Sequence, residues 1–158
     1  MKIVIIGGGA SGMLASSMIS KNNKVILVEK NEKLGKKLYI TGKGRCNVTN
    51  DCAPREFLEN VVTNAKFMQS AIYGFTSEDT MAFLEENGLS LVVERGSRVF
   101  PKSNKSSDVI KTLSNALLKN GVEVRLNTVV ESVKKTGDTF IVATSNGDIE
   151  CNAVVVAT

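Results

Sequence analysis

Three glycines near the N-terminus have the spacing of a phosphate-binding turn. Gly7, Gly9 and Gly12 form the pattern G-x-G-x-x-G between the apolar run 3–6 and a predicted helix over 10–22. Such a turn brings free backbone N–H groups and the positive end of a helix dipole to one point. Gly7 permits the tight turn, Gly9 lets a phosphate approach the backbone, and Gly12 lets the helix lie close to the strand. The sequence therefore predicts an anion site at the start of the first helix.

A carboxylate follows where a nucleotide site requires one. A second apolar strand, predicted over 24–29, ends on Glu29, which is the acidic position of the Rossmann dinucleotide-binding fingerprint. A carboxylate there accepts hydrogen bonds from a ribose diol and disfavours a 2′-phosphate. The plain alternative, a β-α-β unit with a glycine turn and a surface Glu, explains fewer of these features together.

Composition limits the class of protein. The chain has 158 residues, of which 42% are hydrophobic and 23% charged, as in a globular domain. A net charge of +4, mixed in sign along the chain, does not indicate nucleic acid. The apolar runs are too short to span a membrane, and the N-terminus lacks the pattern of a signal peptide. Three irregularly spaced cysteines indicate a reducing, cytoplasmic setting.

The chain contains no histidine. This excludes Ser-His-Asp triads, Cys-His dyads and His-ligated zinc within it, and we assign neither a metal ligand nor a catalytic acid or base. Cys46 is a candidate redox residue, but it has no partner cysteine at C-x-x-C spacing. We therefore favour a role in packing or in contacting the cofactor.

The remaining pattern predicts one α/β domain over 1–158. The predicted elements after residue 29 are helices over 55–62, 66–73, 78–87 and 108–120, and strands over 89–94, 98–100, 122–126, 128–134, 139–145, 148–151 and 153–158. Segment 30–50 is basic and glycine-rich and is expected to be irregular. We expect a helical excursion at about 54–88 and an antiparallel meander at about 122–152, after which the last strand returns to the parallel sheet.

Two internal stretches narrow the class of protein. Segment 35–50, GKKLYITGKGRCNVTN, and segment 96–109, which begins GSRVFPK, resemble the bacterial flavoprotein family of aminoacetone-oxidase-like enzymes and 3-dehydro-bile-acid reductases. The resemblance covers the whole chain. It implies a Rossmann-like FAD-binding domain with a parallel sheet and a β-meander crossover. It also implies FAD as cofactor, NAD(P)H as a candidate electron donor and a small-molecule substrate.

The same resemblance assigns binding residues and a larger context. The implied cofactor-binding set is Gly7, Gly9, Ala10, Ser11, Gly12, Glu29, Lys30, Lys37, Thr41, Gly42, Arg45, Asn47 and Val130. The glycine turn would hold the pyrophosphate, Glu29 with Lys30 the adenosine ribose, residues 37–47 the pyrophosphate-to-flavin side, and the Val130 main chain the adenine. Family members carry a substrate domain after the last strand, so we expect this chain to be the N-terminal part of a longer protein.

Two other functions remain open. An NAD-dependent dehydrogenase would share the fingerprint, although its catalytic histidine would lie outside this chain and the meander crossover favours FAD. A nucleic-acid-binding module would use the basic residues Lys33, Lys36, Lys37, Lys43 and Arg45. It leaves Glu29 and the glycine turn unexplained and lacks interleaved aromatic residues. We therefore expect neither a nucleic-acid nor a membrane partner.

Overall fold

The computed structural model describes residues 1–158, which divide into two units. Unit 1 comprises Met1–Leu38 and Leu113–Thr158, and unit 2 comprises Tyr39–Thr112. The strands are β1 (Lys2–Ile6), β2 (Lys24–Val28), β3 (Thr49–Asn50), β4 (Leu91–Glu94), β5 (Arg98–Pro101), β6 (Glu123–Arg125), β7 (Val130–Thr136), β8 (Thr139–Thr144), β9 (Ile149–Cys151) and β10 (Ala153–Val156). The helices are α1 (Ala10–Ile19), α2 (Lys36–Ile40), α3 (Pro54–Glu59), α4 (Ala65–Gly74), α5 (Ser77–Glu86) and α6 (Ser106–Lys119).

A parallel sheet with strand order β10-β1-β2-β6 forms the centre of unit 1. Ile5 of β1 lies between Val155 of β10 and Leu27 of β2. The two inner strands are almost wholly buried, as an apolar run without polar alternation requires of a sheet covered on both faces. The predicted α/β Rossmann-like architecture is therefore confirmed.

The antiparallel meander β7-β8-β9 packs against this sheet. One buried cluster joins three sheet residues to three meander residues, namely Val4, Ile26, Val28, Val142, Ile149 and Cys151. The meander is shorter than expected, because β6 does not belong to it. Instead β6 pairs in parallel with β2, with Leu27 opposite Val124. Because β6 lies at the edge of the sheet, polar and apolar residues alternate along it, as they do in an antiparallel strand. This alternation is why the sequence pattern assigns β6 to the meander.

Unit 2 contains the antiparallel sheet β3-β5-β4 and the helices α3, α4 and α5. A capping box starts α5: the Asp79 N–H donates to Thr76 Oγ1 at 3.1 Å, and the Thr76 N–H donates to Asp79 Oδ2 at 2.8 Å. The segment expected to be irregular holds α2 and a 3₁₀ turn over Thr41–Gly44. Glycines at 35 and 42 flank α2, which accounts for its short length. None of the helices is both long and apolar enough to cross a membrane.

Candidate functional site

The glycine turn after β1 has the tight geometry that its sequence predicts. Gly7 has φ +110°, and a Cβ added to it would lie 2.6 Å from the Ala157 carbonyl oxygen. A Cβ added to Gly12 would lie 1.9 Å from the Gly7 carbonyl oxygen. Both positions exclude any side chain, since the obstructing atoms belong to the backbone. Gly12 therefore sets how closely α1 approaches the turn.

The N-terminus of α1 is open. Gly9 is its N-cap residue and provides no side-chain cap, and the first turn contains no acidic residue. Ala10 and Ser11 are exposed, and a Cβ added to Gly9 would meet nothing within 4 Å. Uncapped N–H groups at a helix N-terminus suit an anion. The residues present therefore fit a pyrophosphate, and Gly9 leaves room for it.

Glu29 is fixed beside this turn. Its Oε2 accepts from the Gly8 N–H at 2.7 Å, and its Oε1 accepts from the Asn31 N–H at 2.8 Å and from the Asn31 side-chain amide. The Glu29 carbonyl accepts from the Thr128 N–H at 3.0 Å. These bonds hold both the side chain and the main chain of Glu29 between the turn and the segment that leads into β7.

The protonation state of Glu29 follows from these contacts. Burial of the carboxyl group, which is 9% exposed, raises its pKa. The hydrogen bonds from Asn31 and Gly8, together with the charge of Lys30, oppose that effect, and the net pKa lies below the usual value. Glu29 is therefore ionised at neutral pH and can only accept hydrogen bonds, as a partner of ribose hydroxyl groups must.

The other predicted residues of unit 1 lie around Glu29 or on α2. Lys30 is exposed next to Glu29, and Lys37 is exposed on α2. Val130 begins β7, two residues after Thr128, and its side chain packs against the core cluster. Unit 1 thus brings together the glycine turn, Glu29, Lys30 and the start of β7.

The predicted residues of unit 2 share one strained loop, 41–47. Gly42, Lys43, Gly44 and Cys46 all have positive φ angles, of 55°, 57°, 86° and 60°. The Cys46 N–H donates to the Thr41 carbonyl at 3.1 Å, and a Cβ added to Gly42 would lie 3.2 Å from the Asn47 nitrogen. Left-handed backbone at non-glycine residues costs about 1–3 kcal/mol each and concentrates at functional sites.

Two side chains of this loop are engaged within unit 2. Arg45 forms an ion pair with Glu94, donates from Nε to Asn104 Oδ1 at 2.7 Å, and lies with Cζ 4.1 Å from the centroid of the Phe100 ring. Cys46 is 1% exposed, and burial raises the pKa of its thiol against a weaker opposite effect of the Thr41 side chain. A protonated, buried thiol supports the packing interpretation of Cys46.

The comparisons with known proteins decide the family. The family model described as HI0933-like protein Rossmann domain matches residues 1–158. The chain belongs to this family. Its membership confirms the resemblance inferred from segments 35–50 and 96–109, and it agrees with the parallel sheet and glycine turn of unit 1.

Relatives of this family member differ in the activity for which they are named. The chain is 28% identical to the 3-dehydro-bile acid delta(4,6)-reductase of Clostridium scindens, over 99% of this chain and 38% of that protein. It is 29% identical to the ribosomal RNA dihydrouridine synthase of Escherichia coli, over 98% of this chain and 38% of that protein. The chain thus spans less than two fifths of the length of these curated relatives.

A solved structure supports the fold alone. The 3-ketosteroid-delta4-(5alpha)-dehydrogenase of Rhodococcus jostii RHA1 matches with a TM-score of 0.72 at 14% identity, over 99% of this chain and 45% of that chain. At this identity the likeness shows that the backbone follows a common path and carries no residue roles.

Sequence reasoning missed two residues that hold Glu29. Gly8 occupies a variable position of the fingerprint, yet its N–H binds the Glu29 carboxylate, and a Cβ added to Gly8 would lie 3.0 Å from that side chain. The sequence pattern places Asn31 in the basic segment 30–50 and predicts no role for it. The available signal was the spacing E-x-N directly after β2, because an Asn at this distance can fold back onto a preceding carboxylate.

Proposed function

We propose that this chain is the FAD-binding part of a flavin-dependent oxidoreductase. One observation carries the proposal: the ionised Glu29 is hydrogen-bonded to Gly8 of the glycine turn, next to the uncapped N-terminus of α1. An anion site beside a fixed carboxylate has the chemistry to hold a pyrophosphate and a ribose together. Membership in the HI0933-like family and the meander between β6 and β10 favour FAD over NAD.

The proposal gives separate binding roles to the N-terminus of α1, Glu29 and Val130, all in unit 1. The first-turn N–H groups of α1 bind the pyrophosphate, Gly9 leaves space for it, and Glu29 accepts hydrogen bonds from the adenosine ribose. The main chain of Val130 contacts the adenine. FAD bound there would supply the redox chemistry for hydride transfer between NAD(P)H or a small organic substrate and an acceptor.

Titration of the full-length protein with FAD, FMN and ADP tests the assignment. FAD and ADP share the pyrophosphate and adenosine that unit 1 would hold, whereas FMN lacks the adenosine. We expect FAD and ADP to bind and Glu29→Gln to weaken both by about 10- to 100-fold, the value of one or two charge-assisted hydrogen bonds. Binding of FMN should be unaffected by Glu29→Gln. Equal affinity of the wild type and the variant for FAD and ADP would overturn the proposal.

The same site also supports an NAD-dependent dehydrogenase. The glycine turn and Glu29 serve either dinucleotide, so NAD⁺ belongs in the same titration. Tight binding of NAD⁺ without binding of FAD by the full-length protein would select this second function.

The substrate is proposed to be a small molecule in a cytoplasmic reaction. All three cysteines are free, which supports a reducing compartment. Relatives named for a bile-acid derivative and for ribosomal RNA are almost equally similar to this chain. The pairing of Arg45 with Glu94 removes one positive charge from the basic segment and favours the small molecule. Reduction assays on a steroid-like enone and on ribosomal RNA, run side by side, distinguish the two.

A further inference from the structure

The side chain of Arg45, which is 36% exposed, contacts three partners in unit 2. Glu94 neutralises its charge, Asn104 accepts from its Nε, and Phe100 covers one face of the guanidinium. A planar guanidinium is well suited to pairing and stacking at once. Arg45 therefore uses its Nε, one terminal nitrogen and one face of the guanidinium for contacts with the β4–β5 hairpin and the residues that follow it.

These contacts tie the strained loop 41–47 to a distant part of the sequence. Phe100 is buried, and a Cβ added to Gly42 would lie 3.7 Å from its ring. The Val48 N–H donates to the Val99 carbonyl at 2.9 Å. A run of left-handed residues persists only where its surroundings hold it, and Arg45 contacts the hairpin through two side chains, Glu94 and Phe100.

We propose that Arg45 is a positioning residue, which holds loop 41–47 in its strained conformation through Glu94, Asn104 and Phe100 and does not donate to the cofactor diphosphate. This replaces the role that the family resemblance implied for Arg45. It rests on the proposed function, because the family resemblance is what assigns residues of this loop to the cofactor.

The diphosphate-binding role and the positioning role of Arg45 predict different effects of Glu94→Gln on FAD affinity. If Arg45 served the diphosphate, Glu94 would compete with phosphate for the guanidinium, and Glu94→Gln would leave FAD binding unchanged or tighter. If Arg45 positions the loop, Glu94→Gln loosens the loop and weakens FAD binding, as Arg45→Gln does. Arg45→Lys also distinguishes the two roles. It keeps the positive charge that a diphosphate contact needs, but it loses the planar fork and the stacking that would position the loop.

The experiment measures the affinity of the full-length protein for FAD and for ADP in Arg45→Gln, Arg45→Lys, Glu94→Gln and the Arg45/Glu94 double Gln variant. We expect each single variant to weaken FAD binding by about three- to tenfold, ADP binding to change by less than about twofold, and the double variant to be no worse than either single one. Arg55→Gln is the matched control, because Arg55 forms an exposed ion pair with Glu59 on α3.

A second readout needs no cofactor. Trypsin cleavage after the exposed Lys43, followed by mass spectrometry, reports how often the loop opens. We expect faster cleavage in the Arg45 and Glu94 variants and wild-type cleavage in Arg55→Gln. Unchanged cleavage, or unchanged or tighter FAD binding in Glu94→Gln, would overturn the proposal. If the wild type bound no FAD, the proposed function would fail, while the cleavage rates would still decide whether Arg45 positions the loop.

Discussion

The substitution Gly12→Ala should destabilise the fold by an amount that the structure allows to be worked out. The added methyl group would lie 1.9 Å from the Gly7 carbonyl oxygen, whereas ordinary contacts begin at 3.4 Å. Relief requires α1 to move by about 1.5 Å, which disturbs the packing of the fully buried Met13 and costs about 3 kcal/mol, the upper end for overpacking. The higher helix propensity of alanine offsets about 1 kcal/mol of this cost. The net loss is about 2 kcal/mol, or about 4–8 °C in Tm for a domain of this size.

Gly9→Ala is the matched control for this prediction. Gly9 has φ −80°, and its added Cβ would meet nothing within 4 Å. The melting temperature should fall by only about 1–2 °C, because alanine is a weaker N-cap than glycine by about 0.5 kcal/mol. The methyl group would instead occupy the space that we assign to the pyrophosphate, so FAD binding should weaken. Thermal melts and FAD titrations of both variants provide the test. A Gly12→Ala protein as stable as wild type, or an equal loss of stability in Gly9→Ala, would refute the reasoning.

Three further predictions follow from individual side chains. Because the folded-state pKa of Glu29 lies below its ordinary value of 4.5, its carboxylate contributes its full stabilisation above that pH and loses it as the pH falls through the folded-state pKa. The difference in unfolding free energy between wild type and Glu29→Gln should therefore shrink below about pH 4.5 in denaturant melts from pH 7 to 3. Iodoacetamide should modify the half-buried Cys52 well before Cys46, as read by peptide mass spectrometry, because Cys46 is buried and burial raises its pKa. Thr76→Ala should cost about 1 kcal/mol in thermal melts, since the Asp79 N–H loses its acceptor, whereas Thr76→Ser should be close to wild type.

Each of these has a result that contradicts it. A pH-independent difference for the Glu29 variant would show that the carboxylate is not held ionised by Asn31 and Gly8. Alkylation of Cys46 as fast as that of Cys52 would show an accessible thiolate. A wild-type melting temperature for Thr76→Ala would show that the capping box does not stabilise α5.

Features set by local chain chemistry were predictable from the sequence. The branched apolar run of β1, the glycine turn and α1 follow one another within a few residues, so their geometry is dictated by their neighbours. The start of α5 was predictable for the same reason: the sequence predicts a helix from residue 78, and α5 begins at Ser77, because a cap acts over three residues. Glu29 was predictable because its distance from the glycines is fixed by one helix and one strand.

Features set by distant contacts were not predictable in this way. The partners of Arg45 lie about 50–60 positions away in the sequence, and no local sequence pattern predicts an ion pair across that separation. The place of β6 depends on which edge of the sheet it reaches after α6, and its alternating polar pattern fits an edge strand as well as a meander. The Gly8 contact to Glu29 arises only once the turn and the end of β2 are folded together.

The most direct test of the central claim is the absorption spectrum of the purified full-length protein, before and after addition of FAD, next to Glu29→Ala and Gly9→Val. We predict flavin bands bound to the wild-type protein and weaker binding in both variants, because one removes the ribose acceptor and the other fills the pyrophosphate space. A full-length wild-type protein that stays free of flavin at saturating FAD, yet still binds NAD⁺, would contradict the assignment of this chain to FAD.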